Sequence, residues 1–151
     1  MVDDARSRTK TYLNSYLSNA NLLKDDAATQ VSFIIQYTYQ SYPFKRVFYS
    51  PKNVDLIYAI DNPTSEPRMD WDGYINGYRE QVPIIIQCPT KQGIDGNKLR
   101  WQADAELRRV VETYPMGSYR AVSQAVPFDQ RMGTWTIYGV KVTLSYERDK
   151  T

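Results

Sequence analysis

Apolar and polar positions along this chain follow two periods, and the places where one gives way to the other mark its elements. Near the start, Val2, Ala5, Thr9, Tyr12, Leu13, Tyr16, Leu17 and Ala20 fall on one stripe at roughly 100° per residue. That stripe predicts an amphipathic helix over about residues 3–19, with Asp3 or Asp4 as its N-cap. Asn21 to Asp26 reads as a connection. From Val31 to Tyr39 the pattern alternates, which predicts a strand carrying Val31, Phe33, Ile35, Tyr37 and Tyr39 on one side. Pro43 and Pro51 bracket the short apolar piece Val47 to Tyr49, and Val54 to Ile60 is a further strand.

The most ordered pattern begins at Glu80. Glu80 to Cys88 is too short and too rich in β-branched residues for a helix, and Pro83 confines its regular ladder to an edge or to the residues that follow. Ile84, Ile85 and Ile86 come in succession, and successive side chains in a strand point to opposite faces, so both faces of this strand must be covered. Leu99, Ala103, Leu107, Val110, Val111 and Tyr114 then share a helical stripe, which predicts a helix from about Lys98 to Thr113 lying on the sheet. The residues before it, Lys91 to Asn97, carry turn chemistry; Pro115 and Gly117 end it. Trp101 falls outside the stripe, on a flank with Ala105 and Arg108.

Tyr119 to Val126 is a weaker strand, and Gly133 to Arg148 alternates as a long one. Val140, Val142, Leu144 and Tyr146 take one face; Lys141, Thr143, Ser145 and Glu147 take the other. Trp135 and Ile137 have the opposite parity, which marks Gly139 as a bulge that resets the register. Together these elements predict one α+β domain. Its sheet is mostly antiparallel, with the long helix on one face and the N-terminal helix on or near the other.

Asp61 to Asn76 has no sustained period and contains two prolines, so it reads as a loop longer than compact domains carry without a use. It also holds Met69, Trp71, Tyr74 and Ile75. That much apolar area predicts an arm or hairpin that docks on something.

The order of the elements, with Val82-Pro-Ile-Ile-Ile86, the helix Leu99 to Val111 and the ending Val142-Thr-Leu-Ser-Tyr-Glu-Arg148, resembles the tail-terminator and tail-completion proteins of tailed bacterial and archaeal viruses. These are small neck subunits that close the end of a tail tube. About half the chain carries the resemblance, and the long insert before Glu80 departs from the plainest form of the pattern. The resemblance implies a structural virion protein, assembled in the host cytoplasm. Copies of it would form a sixfold homo-oligomeric ring at the head-proximal end of the tail, stop tube polymerisation and offer a face to the head-tail connector. DNA would pass through the lumen without sequence-specific binding. The partners so implied are the chain itself, the tail-tube protein and the connector, with Trp101, Arg108, Met69, Trp71, Tyr74 and Ile75 as the contact residues.

Composition narrows the chemistry. The chain has no histidine, which removes the commonest general base, the commonest transition-metal ligand and every Ser-His or Cys-His nucleophile arrangement. The single cysteine, Cys88, excludes an internal disulfide and, within a run of isoleucines, reads as a small buried hydrophobe. Asp70 with Asp72 and Asp25 with Asp26 sit in turn-like sequence, where solvated charge is the expected role. Gly93-Ile-Asp-Gly96 precedes a helix but lacks the endings of a phosphate-cradling loop, and reads as a turn. Arg100, Arg108 and Arg109 match Asp104, Glu106 and Glu112 as intrahelical ion pairs. No enzymatic activity, metal or cofactor is therefore expected.

A chain of 151 residues is long enough to bury a core unaided, and no apolar run reaches the length of a membrane span. The N-terminal residues lack an apolar signal core, so a soluble, non-secreted protein is expected. The net charge of +2 is too small to indicate a nucleic-acid surface by itself. Thirteen tyrosines against four phenylalanines favour contacts made from wet surfaces. They also leave a second functional class open, a small nucleic-acid-binding module that stacks bases on Tyr and Trp.

Overall fold

Two strands of fifteen residues lie side by side and antiparallel through the centre of the protein. They are seen in a computed structural model that describes residues 5–17, 33–37, 56–89, 95–116, 119–132 and 135–149. In chain order the elements are α1 (Ala5–Tyr16), β1 (Phe33–Tyr37), β2 (Leu56–Ile60), β3 (Thr64–Met69), β4 (Ile75–Pro89), α2 (Gly96–Thr113), β5 (Tyr119–Val122), β6 (Val126–Met132) and β7 (Trp135–Asp149). All seven described strands join one sheet. The fold is α+β with a mostly antiparallel sheet, and β1 with β2 is the parallel exception.

β4 and β7 pair without a break from Gly77 opposite Asp149 to Pro89 opposite Ile137. Each long strand carries two short ones on its outer edge. On β4, β2 pairs with residues from Ile84 to Gln87 and β3 with residues from Ile75 to Gln81. On β7, β6 pairs with the first half and β5 with the second.

Pro83 shows how this works. The sequence confines the ladder to an edge or to the residues after Pro83, yet β4 is central and is paired on both sides of that residue. Pro83 falls between the last residue paired with β2 and the first paired with β3, so its missing N–H is not required there. Its carbonyl still accepts from the Asp61 N–H at 3.0 Å.

One face of the sheet carries the core. Leu56, Tyr58 and Ile60 of β2, Val82, Ile84, Ile86 and Cys88 of β4, and Val140, Val142, Leu144 and Tyr146 of β7 are all buried in a single cluster. Leu99, Ala103, Leu107, Val110 and Val111 of α2 pack on it, as the helical stripe predicts. The same cluster contains Ala5, Tyr12 and Leu13 of α1. This corrects the expectation that the N-terminal helix covers the opposite face.

The reason is area. α2 lies over β4, β7 and β5, which leaves the β1–β2 side of the core face for α1. Tyr12 fixes the arrangement by donating to the carbonyls of Val110 (3.1 Å) and Tyr114 (2.8 Å), while Tyr16 stacks on Tyr114 with ring centroids 4.1 Å apart. Tyr58 is fully buried and donates to the Ala103 carbonyl at 3.2 Å, pinning β2 to the middle of α2. Its burial, with Cys88, Glu106 and Asp104 nearby, raises its pKa well above the usual tyrosine value.

The ends of α2 are satisfied by separate parts of the chain. Asp95 is the N-cap, its carboxylate accepting from the N–H groups of Asn97 and Lys98. The last turn holds no basic residue of its own. Arg120, at the start of β5, donates to the carbonyls of Val111 and Glu112 and brings a cation to the negative end of the helix dipole.

Two further expectations are corrected. The β4–β7 register is continuous, so Gly139 is not a bulge. Ile137 points to the face away from the helices, where Ala59, Ile85 and Gln87 are also buried. Gly139 is needed for a different reason: a Cβ there would lie 1.9 Å from Cζ of Phe128, its partner on β6. The single strand expected from Tyr119 to Val126 is two strands, with Ser123 bonded to Thr143 through backbone and hydroxyl where the chain steps between them. The expected segments from Asn21 to Asp26 and from Val47 to Tyr49 lie outside the described residues.

Gly139→Ala should destabilise the protein by about 1–2 kcal/mol, because the added carbon displaces the Phe128 ring. In Phe128→Ala the same change should cost much less. Urea melts of the two single variants and the double variant would show this as a coupling of about 0.5 kcal/mol or more.

Candidate functional site

The segment from Asp61 to Asn76 is a β-hairpin. Thr64–Met69 pairs with β4, and every residue of β3 except Arg68 is exposed. A strand wet on both faces shows no hydrophobic alternation, which is why the sequence reads it as a loop. The turn Asp70-Trp71-Asp72-Gly73-Tyr74 builds itself. Asp70 N–H donates to the Tyr74 carbonyl at 2.9 Å, and Gly73 N–H donates to the Asp70 carbonyl at 3.1 Å. The Asp70 carboxylate accepts from the N–H groups of Asp72 and Tyr74. Gly73 has φ of +83°, the left-handed conformation that closes a three-residue hairpin loop. Asp70 is therefore a turn-forming residue, and the Asp72-Gly73 pair is the hairpin signal in the sequence.

This turn presents apolar side chains to solvent. Trp71 is completely exposed, Tyr74 is 72% exposed and Met69 59%. Ile75 is half-buried at the start of β4. The hairpin stalk is held by charge on the sheet face away from the helices. Arg68 bonds Glu147, Asp149 at 3.2 Å and Asn76 at 3.0 Å, and Arg79 bonds Glu147 at 2.9 Å. On the helix face a second cluster centres on Glu80, which is buried. Its carboxylate accepts from Arg148 (2.6 Å) and from Arg8 of α1 (3.3 Å), and Arg8 also donates to the Tyr146 hydroxyl at 3.1 Å.

Trp101 and Arg108 lie on the outer side of α2, but their surroundings differ. Trp101 is 42% exposed. Arg108 bonds Asp104 at 3.0 Å and the Ser123 carbonyl at 2.7 Å, so it ties the helix to the β5–β6 connection. Arg109 pairs with Glu106, as expected. Arg100 does not form an intrahelical pair. Its guanidinium turns under the helix and donates to the carbonyls of Phe128 and Gly139 and to Asp129 at 2.7 Å, with the Trp101 and Tyr138 rings each 5.2 Å away. Sequence spacing misses this, because the acceptors come from β6 and β7.

The structure does not bring the two sets of sequence-predicted residues together. The turn lies beyond one end of β4. Trp101 is next to Arg100, whose acceptor Gly139 is opposite Gln87 near the other end. The strand between Tyr74 and Gln87 spans on the order of 40 Å.

Among the described residues, no group of three or more His, Cys, Asp or Glu is placed to hold a metal ion. No helix among them is long and apolar enough to cross a membrane. Cys88 is fully buried. The pair Asp25 and Asp26 lies outside the described residues. No protein-family model matches this chain, and no curated protein sequence matches it.

Arg100→Ala should cost about 2–3 kcal/mol, since one buried guanidinium joins α2 to two strands. Trp101→Ala should cost less than about 1 kcal/mol, the loss of one half-exposed ring contact. Chemical melts of both variants separate an anchor from a surface side chain.

Acid should loosen the hairpin stalk. Hydrogen bonds from Arg79 and Arg68 hold the Glu147 carboxyl below its usual range. A depressed folded-state pKa gives stability that is present above the unfolded value of about 4.3 and lost as pH falls through the folded one. Glu147→Gln should therefore lower the melting temperature at neutral pH and lose less than the wild type between about pH 5 and pH 3.

Proposed function

We propose that this protein is a structural, self-assembling subunit of the tail-terminator or tail-completion kind, acting through surface complementarity without chemistry. One observation carries the reading. Among the described residues two exposed aromatic surfaces stand out, the β3–β4 turn with Trp71 and Tyr74 and the outer side of α2 with Trp101, set at opposite ends of the long strand pair. Surfaces so separated, and unlike each other, favour head-to-tail packing of identical copies, which closes into a ring when the rotation per copy permits.

In this reading the ring is sixfold and seats on the last ring of the tail tube. There it stops polymerisation, presents its other face to the head-tail connector and lets DNA pass through the lumen. The protein is then part of the virion neck. The absence of histidine from the chain and the assignment of Asp70 to turn formation support a role without catalysis.

The charge pattern disfavours the nucleic-acid reading. Trp71, the most exposed aromatic among the described residues, is flanked by Asp70 and Asp72, which repel a phosphate backbone. Arg68, Arg79, Arg108, Arg109 and Arg148 are all ion-paired with acids of the same chain.

Native mass spectrometry should find one discrete closed assembly, near six times the chain mass of 17.6 kDa. A protein that stays monomeric at high concentration, and that binds single-stranded DNA with a steep salt dependence, would replace this reading with the nucleic-acid one.

A further inference from the structure

The two exposed surfaces are complementary to one another as well as apolar. On α2, Lys98, Trp101 and Ala105 follow at spacings of three and four, so they form one exposed ridge. Ala105 leaves a shelf beside the Trp101 ring. Lys98 stands at one end of this ridge. At the other end is Arg108, whose guanidinium is held in place by Asp104 and Ser123. Arg108 is neutralised by Asp104, so the ridge is aromatic with its net positive charge at Lys98. The hairpin turn is aromatic with an acidic rim, Trp71 lying between Asp70 and Asp72. The carboxylate of Asp72 and the ammonium of Lys98 make no ion pair among the described residues.

We propose that the β3–β4 turn of one copy seats on the α2 ridge of the next, with Trp71 against Trp101 and Ala105 and Asp72 facing Lys98. The contact rests on the head-to-tail reading above and specifies its two halves. A second copy is the occupant because the chain itself carries both complementary halves, Trp71 with Asp72 and Trp101 with Lys98, and cannot bring its own two together. The turn and the ridge lie on the order of 40 Å apart along a continuous strand pair. The turn is built by its own hydrogen bonds, so its aromatic side chains are offered on a fixed backbone and little ordering opposes binding. Tryptophan at the centre of such a contact is the side chain that most often dominates its energy.

Charge reversal tests the pairing. Asp72→Lys places a cation at both contact positions, 72 and 98; Lys98→Asp places a carboxylate at both. Each variant alone should assemble roughly tenfold more weakly than the wild type, the effect of like charges placed together. An equimolar mixture of the two should recover assembly, because every turn then finds a ridge of opposite charge in an alternating ring. Sedimentation velocity reads the assembly state, and circular dichroism of each variant confirms that the fold is kept.

Recovery in the mixture supports the contact. Single variants that assemble like the wild type, or a mixture that stays dissociated, overturn it and leave ring formation standing. A wild-type protein that remains monomeric at high concentration overturns both the contact and the ring.

Discussion

The β4–β7 pairing is the constraint on which the rest of the molecule depends. Both strands are fifteen residues long, and they stay in register over their shared length. Four short strands find their places only as additions to the outer edges of this pair. The length of the pair also exceeds what the helices cover, and the surplus at one end becomes the hairpin. Because side chains alternate along a strand, one fixed register decides at once which residues meet the helices and which meet the other side.

On the helix face, hydrophobic burial is combined with polar bonds that fix position. Leu107 and Val110 could slide along a surface of isoleucine and valine at little cost. The hydroxyls of Tyr58 and Tyr12 prevent this by bonding to particular carbonyls of α2. Arg120 and Arg100 add charged bonds near the two ends of the helix. Several tyrosines that the composition suggests for outer contacts are used here, inside the fold.

Charge is distributed according to the same geometry. Arginines with partners within the chain lock the hairpin stalk, the Glu80 cluster and the β5–β6 connection. Trp71 and Tyr74 at the turn stand in water, while Trp101 is part-covered beside the Arg100 guanidinium. Charge is thus largely fixed within the chain, while Trp71 is left in water.

Elements whose patterns are set by burial of their own side chains were legible from local residues alone. The stripe from Leu99 to Val111 and the alternation from Val140 to Tyr146 each state a period, the unbroken isoleucine run of β4 states a strand covered on both faces, and each is found where it was expected. Composition alone also excluded histidine-dependent chemistry. Tertiary structure decided what local period does not encode. β3 is wet on both sides and holds its place through main-chain pairing and through Arg68, bonded to residues about eighty positions away. α1 joined the core face because α2 left part of it uncovered, a matter of area across the sheet. Gly139 answers to Phe128, and Arg100 to carbonyls on two strands; none of these partners lies close in sequence. The distance between the turn and the α2 ridge exists only once the strands are paired, because it is the length of that pair.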